Sequence, residues 1–503
     1  MVATCRLPSA FTSPDTLEAT QRQQYLEELV AFLAQNQRLS SAHTFDTLRE
    51  GFNKVWPEEW KHLSKSEHFD IEHLIDLVKD GVIQPNWPLS LKCFLENCIK
   101  LQLPRSFNCD DFTSGVFESQ KSSNKSATGM SRKKLHEVDR FARVILDRIK
   151  QSGISDTATI VDVGAGQGYL THRLSTEYPC IAVDFNSVQT VGSEKRGSNI
   201  QKKLLNDCGL SKVDLADASL DRKPVVHKTI LINAKSLQKM LEELEEADVT
   251  GKTDFVLVGL HACGDLSGPA MLQTFENCKS VKMVAVVPCC YNLLTEPETP
   301  CDVCETHGFA MSKSIQALTQ THNLTLGYSS RNLAGQTLSN FDRSGIHSKL
   351  TGHYKRALFD ALLAHFNIQT DLKTDDFNLA DGKERKLRLG KLSSEAYDGG
   401  FVTYAVSALS RLGLEKRVTK SQIEEFMDLP KYKIALNLIV LVTCIKSMLS
   451  RVLESLLLMD RFMVLVEMNG VTGADNVDVE MLNLFDVDES PRNMVFLAHK
   501  RSE

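Results

Sequence analysis

The chain has 503 residues, 42% of them hydrophobic and 24% charged, with a formal net charge of −6. That length suffices for two or three cores, and the composition is that of an ordinary globular protein rather than a fibrous or disordered one. The negative balance excludes a global basic field, so nucleic acid could be held only by a local basic patch. The thirteen cysteines are odd in number and scattered, which does not suit a disulfide framework. The opening stretch MVATCRLPSAFTSPDTLEAT has no apolar core of signal-peptide length. Both features point to a reducing intracellular compartment, cytoplasm or nucleus.

In chain order, residues 1–109 read as a helical region. LEELVAFLAQNQ and HFDIEHLIDLVKDG place apolar residues at helical spacing, and Trp56, Trp60 and Trp87 read as core. Residues 110–129, with the polar run ESQKSSNKSATG, read as a linker. MSRKKLHEVDRFARVILDRIK is an amphipathic helix whose apolar stripe is Val138, Phe141, Ile145 and Ile149. TIVDVGAG, CIAVDF, TDFVLVGLHACG and SVKMVAVVPCCYN then alternate as strands with helical segments, which implies a parallel sheet covered on both faces. The alternating α/β core thus spans 130–295, a mostly helical insert 296–457, and the last two strands 458–503. Those two are expected at RFMVLVE (461–467) and MVFLAHK (494–500). The most apolar run, IALNLIVLVTCI (434–445), is too short to span a bilayer and contains Asn437. It reads as a buried helix, with no membrane contact.

DVGAGQG, beginning at Asp162, carries Gly164, Ala165, Gly166 and Gly168 between a buried strand and a helix that starts near Tyr169. Glycines let the backbone turn tightly and approach a ligand, and the helix N-terminus points at the same place. A dinucleotide loop wants a third glycine at position 169, which is Tyr169. Asp162 fits poorly beside a pyrophosphate and well beside a ligand with an ammonium and a sulfonium, as in S-adenosylmethionine. Asp184, at the end of the next strand, is placed to accept both ribose hydroxyls.

With these residues, the chain resembles the methyltransferase-like protein 25 family. MSRKKLHEV, VDVGAGQGYL, LHACGDLS, PCCYNLLTE and GFAMS occur in the family's order, and LLLMDRFMVLVE and LFDVDESPRNMVFLAHK resemble its C-terminus. The similarity covers most of the chain. It implies a class I methyltransferase (Rossmann-like) α/β fold: a seven-stranded sheet with an antiparallel last strand, a helical N-terminal region, and a long helical insert between strands five and six. It also makes Lys134 a partner for the methionine carboxylate or a substrate phosphate. A more distant similarity, H-x-C-G followed by a double cysteine, links the chain to a transfer-RNA 2′-O-methyltransferase family.

Ligands of parallel sheets bind outside the carboxyl ends of the strands. There the fourth strand ends in His261-Ala262-Cys263-Gly264-Asp265 and the fifth in Pro288-Cys289-Cys290-Tyr291-Asn292. His261 suits removal of an acceptor proton, with loop positioning as its other reading. Asp265 reads as a helix cap. For the double cysteine, a zinc site recruiting Cys301 and Cys304 has irregular spacing. A thiolate nucleophile has the strand placement seen in RNA cytosine-5 methyltransferases without their surrounding motifs. The favoured reading is a pocket wall, with Tyr291 and Asn292 facing the acceptor and no metal. That resembles the Pro-Pro-Tyr signature of amino-methyltransferases, with cysteines in place of a proline. The expected function is S-adenosylmethionine-dependent methylation of RNA or a ribonucleoprotein, with Arg132, Lys133 and Lys134 on phosphates. The alternatives are an inactive scaffold that binds protein partners through its helical regions, and a cysteine-dependent RNA cytosine-5 methyltransferase.

Overall fold

The computed structural model describes residues 5–6, 16–49, 51–65, 67–105, 130–208, 222–248, 253–297, 306–368, 390, 392–471 and 477–501. All of the expected linker, and both Cys301 and Cys304, lie outside these residues.

Eight strands form one sheet: β1 (Cys5–Arg6), β2 (Ala158–Val163), β3 (Cys180–Asp184), β4 (Val225–Thr229), β5 (Asp254–Cys263), β6 (Val281–Cys289), β7 (Val477–Asn483) and β8 (Met494–Lys500). Their order is β1-β7-β8-β6-β5-β2-β3-β4. β4, β3, β2, β5 and β6 pair in parallel, whereas β8 is antiparallel to both β6 and β7. The seven-stranded sheet with a reversed last strand is as expected, and the two-residue β1 extends its edge.

The alternation along the central strands sorts their side chains onto two faces. Ile160, Val256, Val258, Met283, Ala285 and Val287 pack under the helix Arg132–Gln151, where Phe141, Ile145 and Ile149 form the expected stripe. Val161, Val163, Ile181, Val183, Phe255 and Leu257 face the other way. They share one core with Leu26, Trp56, Trp60 and Leu95 of the N-terminal region and with Leu441, Leu453 and Phe462. The N-terminal helices and the insert thus form a common layer on one face of the sheet.

One expected strand is corrected. RFMVLVE lies inside the helix Ala435–Val471, and the sixth core strand is β7, VDVEMLN. The helical insert therefore runs past 457 as far as Val471. Phe462, Met463 and Leu465 of the run are all buried, as in a helix covered on most sides, and a short apolar run carries no periodicity that separates strand from buried helix. Polar anchors hold it: Asp460 accepts from Met311 N and Ser312 N, and Glu467 accepts from Lys313 N and Ser314 N. These carboxylates sit where the helix Lys313–Thr321 begins, at the end that favours negative charge. By length and composition the stretch Pro430–Asn469 is apolar enough to cross a membrane, yet 89% of its most apolar window is buried inside the fold.

Candidate cofactor and acceptor site

The glycine loop follows directly from β2. Gly164, Gly166 and Gly168 have φ of 76°, 54° and 71°, a left-handed region that side chains disfavour. Gly164 N and Ala165 N donate to Val183 O at 2.8 and 3.0 Å, which stitches the loop to the end of β3. A Cβ on Gly168 would lie 1.9 Å from Ser193 Oγ, so the helix Ser187–Cys208 packs against that glycine. A Cβ on Gly166 would meet nothing within 4 Å, which leaves this side of the loop open to a ligand.

The two expected carboxylates flank that opening. Asp162 is buried and accepts from Thr171 Oγ1 at 2.5 Å. Burial, reinforced by the charge of Asp184, pushes its carboxyl up to about 6, against the opposing pull of Thr171 and Lys134. A cationic ligand would return it to the ionised form. Asp184 Oδ2 accepts from Gly166 N and Oδ1 from Asn186 N, each at 2.9 Å. This fixes the carboxylate beside the loop and leaves each oxygen a further lone pair. Phe185, the next residue, is 69% exposed, and Val188 and Leu231 are exposed as well. These are apolar surfaces just after β3, where the helix Ser187–Cys208 begins, and just after β4. The residue after Asp184 is visible in CIAVDF, but only the fold shows its ring uncovered.

Lys134 reaches this site. Its ammonium lies 4.4 Å from the centre of the Tyr169 ring, which Arg196 covers at 3.6 Å. Burial, with the nearby Arg196 charge, lowers the Lys134 pKa, while Glu137 and Asp162 oppose the shift. Arg132 and Lys133 sit at the exposed start of the same helix, with Glu489 and Glu137 at 3.1 and 3.8 Å.

One strand away, near the end of β5, His261 has φ 64°. His261 Nε2 lies 3.0 Å from Glu137 Oε2, and Ser490 Oγ donates to Glu137 Oε1 at 2.6 Å. Burial raises the Glu137 pKa, but the His261 contact, the Ser490 hydroxyl and Lys133 outweigh it and hold the carboxyl below its ordinary value. A buried carboxylate thus orients His261, an arrangement that carries no local sequence signal because 124 residues separate the two.

The end of β6 differs from expectation. Cys290 has φ 50°, which turns the chain so that Cys290 is exposed while Tyr291 is 3% exposed. Tyr291 OH donates to Glu454 Oε1 at 3.0 Å, on the long helix. Arg105 Nη2 and Arg492 Nη1 also reach Glu454, at 2.8 and 2.7 Å. Burial raises the Glu454 pKa, but the charges of Arg105, Arg492 and Arg451 prevail, so it stays below its ordinary value. Tyr291 therefore packs inward and does not face an acceptor. Asn292 is half-buried on the following short turn, beside the exposed Leu293. Asp265 caps no helix: it accepts from Thr295 N and Oγ1 at 3.0 and 2.7 Å, tying the β5 loop to the segment after β6.

The pocket-wall reading of the cysteines changes too. Cys263 Sγ lies 3.2 Å from Cys289 Sγ and 3.3 Å from Cys290 Sγ, and the last two are 3.6 Å apart. Donation from Cys263 and Cys289, together with the charges of Arg492 and His261, lowers the Cys290 thiol against the opposing effect of burial. The pocket lip is sulfur, with Cys290 outermost.

Residues 133–297 match the family model described as "Methyltransferase domain". The chain is 28% identical to probable methyltransferase-like protein 25 of Mus musculus over 63% of its own length and 48% of that protein. It is 26% identical to the Homo sapiens protein of the same name, over 55% of its own length and 40% of that protein. The chain thus spans less than half the length of these curated relatives. No solved structure matches it.

Proposed function

We infer that this chain, which belongs to the methyltransferase-like protein 25 family and carries a methyltransferase domain, transfers a methyl group from S-adenosylmethionine to a nucleophile. One observation carries the reading: Asp162, the open glycine loop and Asp184 converge at the carboxyl edge of β2 and β3. The buried Asp162 carboxylate suits the ammonium and Asp184 the ribose hydroxyls. Lys134 is placed for the carboxylate, and the exposed Phe185 and Val188 for the apolar face of the base. The bound cofactor would supply an electrophilic methyl carbon beside a sulfonium, so the protein's work is mostly alignment. His261, held by Glu137, is our candidate to take the acceptor proton, with Asn292 at the rim as a hydrogen-bonding group.

For the acceptor we propose RNA or a ribonucleoprotein. Arg132 and Lys133 project from the helix start; the Arg132–Glu489 pair is a surface pair of the weak kind, which a phosphate can displace, and Lys133 lies 3.8 Å from the buried Glu137 with its own ammonium exposed. We place the reaction inside the cell, in cytoplasm or nucleus, where the described free thiols stay reduced. The test is labelled-methyl transfer by the purified chain to fractionated RNA and protein from its source cells. Label in RNA that disappears with Asp162→Asn supports the proposal. Label only in protein overturns the RNA assignment. Cofactor binding without any transfer favours the scaffold alternative.

A further inference from the structure

We propose that Cys263, Cys289 and Cys290 form a zinc site at the carboxyl ends of β5 and β6, three thiolates holding the ion and its fourth position open on the Cys290 side. The three sulfurs already make a triangle with edges of 3.2, 3.3 and 3.6 Å. Tetrahedral zinc, with Zn–S of about 2.3 Å, sets sulfurs about 3.8 Å apart, so the triangle needs to open by about 0.6 Å at its shortest edge. Among the described residues this is the group of His, Cys, Asp and Glu ligand atoms close enough to share an ion.

The backbone builds the triangle deliberately. Cys263 and Cys289 are register partners on adjacent parallel strands. Cys290 follows directly, and an extended strand would send its side chain to the opposite face. Its φ of 50° instead brings the sulfur back beside the other two. Such a conformation is disfavoured for a residue with a β-carbon and persists where surroundings impose it. Thiols offset little of that strain, being weak donors and acceptors toward one another. A soft divalent ion does, because thiolates select zinc over magnesium or calcium. Three thiolates on Zn²⁺ leave one net negative charge, and Arg492 lies close enough to act electrostatically on Cys289 and Cys290. The exposed Cys290 gives the ion an entry path and leaves one ligand position free. On binding, the thiol protons pass to solvent and no electrons move.

The site does not depend on methyl transfer, so it is tested on the folded chain without cofactor. Elemental analysis of protein purified under reducing conditions should find one zinc per chain. Cobalt substitution should give thiolate-to-metal charge-transfer absorption with the strong visible bands of tetrahedral cobalt. Cys263→Ser, Cys289→Ser and Cys290→Ser should each bring both signals to background, while Cys93→Ser, at an exposed thiol elsewhere, leaves them intact. Should a variant fold poorly, the wild type decides: bound zinc should protect Cys290 from alkylation, and chelation should expose it. Folded, reduced wild-type protein that takes up neither metal overturns the site. So does a Cys263–Cys289 disulfide in protein isolated without reductant that leaves no zinc bound.

Discussion

Asp162 is the residue on which cofactor recognition turns. Its carboxyl is buried and raised to about 6, so in the empty site it holds a proton at mildly acidic pH. A cationic ligand needs the ionised form. Affinity for S-adenosylmethionine should therefore be level above about pH 6 and fall as pH drops below it, because the proton must first leave. Asp162→Asn should flatten that profile and weaken binding roughly tenfold to a hundredfold, the equivalent of about 1.5–3 kcal/mol for a charged hydrogen bond. Titration calorimetry across pH, with circular dichroism to confirm folding, checks both. Gly168 tests the loop independently. A Cβ there meets Ser193 Oγ at a positive φ, so Gly168→Ala should lower stability by roughly 1–3 kcal/mol in a denaturant melt and impair cofactor binding with it. Tyr291→Phe discriminates the two roles of that ring. It removes a buried donor from Glu454, and we expect about 1–3 kcal/mol of lost stability with methyl transfer per folded molecule unchanged. A large loss of turnover at unchanged stability would return Tyr291 to the acceptor site.

Among the elements, the strands with buried, continuous apolar runs were readable: β2, β3, β5, β6 and β8 lie where TIVDVG, CIAVDF, FVLVGLHAC, VKMVAVVPC and MVFLAHK place them. β4 was not, because an edge strand with a half-exposed VVHKT pattern carries little hydrophobic signal. β7, VDVEMLN, was missed because RFMVLVE nearby, with five consecutive apolar residues, has the stronger strand composition. The glycine loop and its acids were legible because their chemistry is local. The orientation of Cys290 and Tyr291 was not, since one left-handed residue reverses which of them faces out. The helix Tyr169–Leu174 also makes an element-scale prediction. His172 is buried, with Nε2 2.9 Å from Ser193 O, and burial lowers its pKa to about 4, the nearby His227, Arg222 and Arg196 charges adding to the shift against the bond to Ser193. Its folded value lies below the unfolded 6.5. The neutral ring's contribution is thus fully present above pH 6.5 and is lost progressively down to about pH 4. His172→Gln should make the melting temperature less sensitive to pH across that window.

For the whole molecule, the division into an N-terminal region, a core and an insert is legible as a linear order but not as a packing arrangement. The helix Ala435–Val471 joins the two helical segments and the sheet into one apolar core. Leu103 N donates to Ser455 Oγ at 2.9 Å and Asn437 Nδ2 to Ser64 O at 2.9 Å, across separations of 352 and 373 residues. Contacts so remote leave no periodicity to read. A chain beginning at residue 130 should therefore expose the apolar side of that helix and be insoluble or molten, although its methyltransferase domain is intact in sequence. Sharp proton spectra and a cooperative melt from that fragment would argue for a separable domain instead. The proposed function rests on the carboxyl edge of β2 and β3 being a cofactor site. Calorimetry of the full chain with S-adenosylmethionine tests this most directly. The prediction is one-to-one binding that weakens sharply in Asp162→Asn at neutral pH. Folded wild-type protein that binds none, or binds as tightly when Asp162 is neutralised, would contradict it.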